Sequence, residues 1–259
     1  MTPLPFPMLA DFAVRLACGL AALLLTTSWR AVPLAFFRTH CQVVLGLLVL
    51  GALDLSRTGA GGPVPAVLVG LAVCAYLGSI AWGLGLPRLA LPLTVVLAFG
   101  SAGALVAASR GGSSGSAVWA LNAAGRLASA ALMGSTLTAM LLGHHYLTAP
   151  AMSIEPLKRF VRAMAWSLGA RGALAALGWW LWQSGRVAAS PSAANHGFFL
   201  AMRWGMGVAG PALATVLAWK TVRIHSTQSA TGILYIAMTL VLFGELTALV
   251  LSRDVGVVF

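Results

Sequence analysis

The sequence predicts an all-α, polytopic integral membrane protein, with about eight transmembrane helices in one bundle and no separate soluble domain. Three observations carry this prediction. Of the 259 residues, 59% are hydrophobic and only 8% are charged, whereas a soluble domain keeps about 25% charged residues to wet its surface. Mean hydropathy is +0.92, so most of the outer surface must be solvated by lipid. Apolar runs of about 20 residues, the length of helix that crosses a hydrocarbon core, recur along the whole chain between short breaks.

The spans follow in order. Span 1 covers 8–28. The preceding MTPLPFPMLADF has no basic n-region and no small-residue cleavage site, so this segment reads as a retained helix rather than a signal peptide. Span 2 (33–55) ends at SRTGAGGPVP. LPR separates span 3 (63–85) from span 4 (89–109), and SRGGSSGSA links span 4 to span 5 (118–146). TAPAMSIEPLKR precedes span 6 (159–183), SGRVAASPSAAN precedes span 7 (197–219), and KTVRIHSTQSATG precedes span 8 (231–252). These breaks hold the Gly, Pro, Ser and Asn residues that end regular elements. Ser229 or Thr231 is the expected N-cap of span 8. Small residues in AFGSAGA (98–104), GARGALAALG (169–178) and GMGVAG (205–210) suit the close backbone approach by which helices associate in lipid. Cys18, Cys41 and Cys74 show no CxxC and no zinc spacing, and read as small apolar side chains.

Sixteen Lys and Arg face five acids, a formal charge of +11. The basic residues stand singly between apolar runs, as topology determinants and contacts to anionic lipid headgroups do. No basic stripe is interleaved with aromatics, which excludes nucleic acid as a partner. Loops 1–2, 3–4, 5–6 and 7–8 with their flanks carry Arg30, Arg38, Arg88, Lys158, Arg159, Arg162, Lys220 and Arg223. The other side carries Arg57, Arg110, Arg186 and Arg253. The excess places the odd-numbered loops in the cytoplasm of a bacterial cell, both termini outside the inner membrane, and GHHYLTAP (143–150) on the cytoplasmic side.

Asp11, Arg15, Arg126, Arg171, Arg203 and Glu245 fall inside spans, where an ionisable group is costly unless paired or hydrated. Asp11 and Arg15 are four apart on one helical face and form an expected pair. Arg126, Arg203 and Glu245 share a depth of about 10 Å inside the outer edge at 1.5 Å per residue, so Glu245 is expected to meet Arg203 or Arg126. Arg171 lies nearer the midplane and requires a partner, an anion or a headgroup. Structural ion pairing with snorkelling arginines explains the same residues without a function.

In span 5, Asn122, Arg126, Ser129, Met133, Thr136, Met140 and His144 follow at steps of three and four, one stripe of a helix. That phase turns His144 inward and His145 about 100° away from it. His40 lies at the same depth, so His40 and His144 are candidate axial ligands for a single b-type haem. A quinone is the alternative cofactor, with His144, Tyr146 and Tyr235 placed to hydrogen-bond its carbonyls. Helix-dipole and interface effects account for a terminal histidine and tyrosine equally well. No Ser/His/Asp arrangement, HExxH or P-loop is present.

GHHYL, SIEPLKR, RWGMGVAGP and STQSATGILY together resemble a group of bacterial polytopic membrane proteins with similar GHxYL and TQSATGILY segments. The resemblance spans roughly the C-terminal half and brings no activity with it. The expected function is that of an embedded subunit, not catalytic on its own, in a larger respiratory or electron-transfer complex with other membrane subunits. A transporter or channel using Arg171, Arg203 and Glu245 is the first alternative, and a membrane-embedded lipid-modifying enzyme the second.

Overall fold

A computed structural model describes residues 6–59, 63–109, 116–148, 152–185, 196–257 and 259. Among them the chain is helical throughout: α1 (Met8–Leu25), α2 (Leu34–Arg57), α3 (Val64–Gly83), α4 (Pro87–Ala108), α5 (Ser116–Thr148), α6 (Glu155–Gln183), α7 (His196–Trp204), α8 (Gly210–Arg223) and α9 (Thr227–Val255). A π-helical segment, Gly205–Ala209, joins α7 to α8, so these two form one interrupted span. Seven helical segments are long and apolar enough to cross a membrane: α1 to α5, the α7–α8 unit and α9. The protein is thus a multi-pass bundle of membrane helices. The eighth helix, α6, is 29 residues long but less apolar, since it contains Lys158, Arg159, Arg162, Arg171 and several tryptophans.

Successive helices alternate in direction. Phe6, Val106, Asn122 and Gly256 meet at one end, where Arg253 donates to the Phe6 carbonyl and Asn122 to that of Gly256. This is called the terminal end below. At the far end, Phe36 of α2 packs on His145 of α5. Phe37 of α2 stacks on Trp82 of α3 there at 4.4 Å.

The sequence explains the outer surface simply. Leu53, Val69, Tyr76, Phe99, Trp166, Phe198 and Ile236 are exposed on their helices, an apolar coat that suits lipid and not water. The interior is set by small residues. A Cβ on Gly19 of α1 would lie 1.9 Å from the Ala130 carbonyl oxygen of α5, and one on Gly134 would lie 2.3 Å from the Gly19 carbonyl carbon. Two helix backbones therefore touch, as the packing of membrane helices requires. A second such crossing joins α9 to the π segment, where a Cβ on Gly244 would lie 2.1 Å from the Gly207 Cα. Of the small-residue stretches singled out in the sequence, GMGVAG packs through Gly207 and Gly210, and AFGSAGA packs Gly100 against Leu71. Gly169 and Gly103 meet nothing within 4 Å. The α1–α5 crossing uses isolated glycines that no local motif marks, and so does the α9 side of the second, Gly244.

One helix start differs from expectation, and another is capped from a distance. Helix α9 begins at Thr227, with Ser226 at the cap position and no side-chain capping bond. Thr231 instead donates to the Thr227 carbonyl within the helix, and Ser229 bonds only to Ser226. The expected caps at Ser229 and Thr231 are therefore not formed. For α1, the missing local cap is supplied from a distance: Asp54 of α2 accepts the Ala10 N–H at 2.9 Å, satisfying one of the free donors of a helix start.

Candidate intramembrane ionic centre

Among the described residues, the buried charged side chains are Asp11, Arg15, Arg126, Arg171, Arg203 and Glu245, together with His40. The six ions converge in two linked groups. In the first, Arg15 donates to both oxygens of Asp11 at 2.8 and 3.0 Å. Arg126 reaches across from α5 to the same carboxylate at 3.3 Å and also donates to Ser109 Oγ at 3.1 Å. A narrow pocket of about 50 Å³ opens over this group, lined by Asp11, Arg15, Asn122, Arg126 and Arg253.

The second group centres on Glu245 of α9. Arg171 of α6 grips the carboxylate through Nε and Nη2 at 3.1 Å, a two-pronged contact. Arg203 of α7 donates to the same carboxylate from Nη1, also at 3.1 Å. Arg171 Nη2 additionally donates to the main-chain oxygen of Phe259, whose ring packs on Trp182. Ser129 of α5 joins the groups: its hydroxyl donates to Glu245 at 2.6 Å and accepts from Arg15 at 3.5 Å. Shared hydrogen bonds of this kind polarise one another in a low-dielectric interior.

Depth makes the second group costly. Glu245 lies about ten residues, or about 15 Å, from the terminal end of α9 at the helical rise, and its side chain is 1% exposed. Each ion there has lost its water, at an effective cost of several kcal/mol. Four guanidinium groups face two side-chain carboxylates among the described residues, and the main-chain oxygen of Phe259 also accepts from Arg171. Moreover, Arg171 Nη1 and Arg203 Nε and Nη2 are buried without a hydrogen-bond partner among the described residues.

The backbone beside Arg203 is adapted to the centre. Its Nη1 passes over Gly207, where a Cβ would lie 2.6 Å from that nitrogen and 3.0 Å from the Gly244 Cα. The Gly210 N–H donates to the Gly205 carbonyl, five residues back, which defines the π turn. Pro211 follows and has no N–H to continue the regular ladder.

The structure pairs some of the residues differently from the sequence expectation. Glu245 meets Arg203, whereas Arg126 goes to Asp11. Arg171, for which the sequence offered no partner, lies at the depth of Glu245 and is its bidentate partner. Ser129 was visible as part of the polar stripe, but its bridging role, the reach of Ser109 and the capping by Asp54 were not.

The histidine face differs more. His144 is exposed and His145 is half-buried, the reverse of the helical-phase expectation. The middle of α5 is covered on nearly every side. At its far end only some sides are covered, by Phe36 on His145 and by Thr231 on Gly143. His40 is sealed, with its ring 4.0 Å from that of Phe36 and its Nδ1 bonded to the Phe36 carbonyl. An exposed His144 and a sealed His40 do not face a common space, so these two residues do not fit bis-histidine haem ligation. Tyr235 is exposed on α9, away from Tyr146, so the quinone set His144, Tyr146 and Tyr235 is not brought together either. Tyr146 is buried and donates to the Ser153 carbonyl across the α5–α6 connection. We expect Tyr146→Phe to cost about 1 kcal/mol through that lost bond. His144→Ala should stay within about 0.5 kcal/mol. Thermal unfolding of both variants in detergent checks the pair, and the opposite ranking would refute this placement of the α5 end.

No group of three or more His, Cys, Asp or Glu side chains able to hold a metal ion occurs among the described residues. No protein-family model, curated protein or solved structure matches the chain.

Proposed function

We propose that the protein is a carrier or channel for small anions, with the Arg171–Glu245–Arg203 group as its working centre. One observation supports this above the others: a buried ionic centre with four guanidinium groups to two side-chain carboxylates, three of whose guanidinium nitrogens have no hydrogen-bond partner among the described residues. A purely structural network has no need of that excess, since apolar residues of similar volume stabilise a core as well or better. Ionisable groups at such depth commonly mark ion pathways. Support also comes from the interrupted α7–α8 span, because broken helices line substrate sites in many carriers.

The chemistry follows from the residues. The guanidinium groups attract an anion into a low-dielectric region where cations would be repelled. Glu245 keeps the two arginines in place and limits how tightly an anion is held, which a carrier needs for release. The test is flux of chloride, acetate and phosphate into proteoliposomes, read with trapped indicators under an imposed membrane potential. Wild-type protein should carry at least one of them above protein-free vesicles, and Arg171→Gln and Arg203→Gln should lower that flux by about tenfold or more, the weight of one charged hydrogen bond. No flux of any of the three, or equal flux in both variants, would overturn the proposal.

A further inference from the structure

We infer that Arg203 holds a two-oxygen anion, a carboxylate or phosphate group, on the free edge of its guanidinium. The inference deepens the carrier reading and rests on the same cluster.

A guanidinium group offers two N–H bonds that point in parallel along the Nε–Nη2 edge, a fork that matches two oxygens on one atom. In Arg171 that edge is occupied: Nε and Nη2 both grip Glu245. In Arg203 the equivalent edge is empty. Nη1 alone binds Glu245, while Nε and Nη2 are buried and unpartnered among the described residues. The side chains of Arg203, Arg171 and Glu245 are all 1% exposed, so water does not complete the edge from a bulk surface. Both arginines donate to the same carboxylate oxygen, Glu245 Oε1, and the guanidinium groups are therefore neighbours. Arg171 Nη1, the remaining unpartnered nitrogen, belongs to this same group.

The protein thus contains its own example of the contact. Glu245 on the Arg171 fork shows how a carboxylate is held at this depth, and a second oxyanion on the Arg203 fork would satisfy two of the three orphaned nitrogens. A spherical halide cannot span the two N–H bonds in the same way, so the fork selects oxyanions by shape as well as by charge. The main-chain oxygen of Phe259 on Arg171 Nη2 indicates that an oxygen acceptor is accommodated beside this centre.

The test uses the full chain purified in detergent. Thermal unfolding is followed by tryptophan fluorescence in acetate, phosphate and chloride at matched ionic strength. A bound ligand raises the midpoint by mass action, so acetate or phosphate should raise it saturably while chloride does not. Arg203→Lys keeps the charge and removes the fork, and should weaken the oxyanion effect by about tenfold, one charged hydrogen bond. Arg126→Lys, a buried guanidinium that serves Asp11 and not Glu245, controls for loss of fold. Native mass spectrometry of protein extracted from membranes separates the two sources of the same chemistry. A retained lipid mass that Arg203→Lys lacks identifies a headgroup phosphate, and a saturable acetate or phosphate shift without such a mass identifies a free anion. Equal shifts from chloride and oxyanions, undiminished binding in Arg203→Lys, or neither a shift nor a retained mass would overturn the inference. Oxyanion binding without flux would remove the carrier reading alone, and chloride flux without oxyanion binding would remove the inference alone.

Discussion

Glu245→Ala is expected to destabilise the bundle by about 3–5 kcal/mol, the range for breaking a buried ion pair from one side. The carboxylate accepts from Arg171, Arg203 and Ser129, so its loss strands two buried cations and a hydroxyl at once. The cost comes from what is left behind rather than from the pair itself. Removing one of the stranded cations should therefore recover part of it. In a double-mutant cycle, Glu245→Ala with Arg203→Met should be more stable than Glu245→Ala alone, with a coupling of about 1–3 kcal/mol. Unfolding in mixed detergent, followed by tryptophan fluorescence, measures both quantities. A single-variant loss below about 1 kcal/mol, the scale of an exposed pair, would contradict the buried placement of the centre.

The second large effect is expected from adding one methyl group where backbones touch. Gly134→Ala and Gly244→Ala should each cost about 3 kcal/mol, the upper part of the range for overpacking. At both sites the new Cβ would strike main-chain atoms, within 2.3 Å of Gly19 and 2.1 Å of Gly207, and no side-chain rotation relieves that. Gly46 in α2 is the control, since nothing lies within 4 Å of its Cβ position. Gly46→Ala should be neutral or stabilising, because alanine is the better helix former by about 1 kcal/mol. Gly244→Ala has a further consequence. It pushes against Gly207, over which Arg203 Nη1 passes, so anion binding should suffer in this variant while Gly134→Ala leaves it intact in the folded fraction. Similar stability for Gly134→Ala, Gly244→Ala and Gly46→Ala would show that the two crossings are looser than the coordinates place them.

Part of the ionic centre is legible in one dimension. Asp11 and Arg15 pair because an interval of four puts them on one helix face, and the i,i+4 relation is local. Equal depth from the span ends likewise brings Glu245 and Arg203 into range of each other. Arg126 and Arg171 show where this stops. Depth alone allowed Arg126 to meet Glu245, but α1 and not α9 presents the nearer carboxylate. Arg171, twelve residues from Gln183, is too deep for Glu245 if span 8 is counted to a boundary at 252, whereas α9 runs to Val255 and puts Glu245 ten residues from its end. A shift of a few residues at a helix end moves every depth within it by about 1.5 Å per residue.

The histidines illustrate a second limit. Helical phase separates His144 from His145 correctly as two faces, but phase does not say which face the neighbours cover. Near the middle of α5 the question hardly arises, since Met133, Thr136 and Ser135 are all buried. At the end of the helix it decides everything, and Phe36 of α2 settles it in favour of His145.

The sequence by itself determined that this chain forms a multi-pass bundle of membrane helices, and that a few ionisable groups lie inside it. Length and apolarity do this alone, because lipid demands internally satisfied backbones whatever the neighbours are. Only the tertiary structure decided which arginine meets which carboxylate, that one guanidinium edge is left empty, and that Gly19–Gly134 and Gly207–Gly244 set the closest approaches. Those outcomes depend on residues distant in the chain. Several pairings satisfy the same local pattern, and the shape of two touching backbones selects among them.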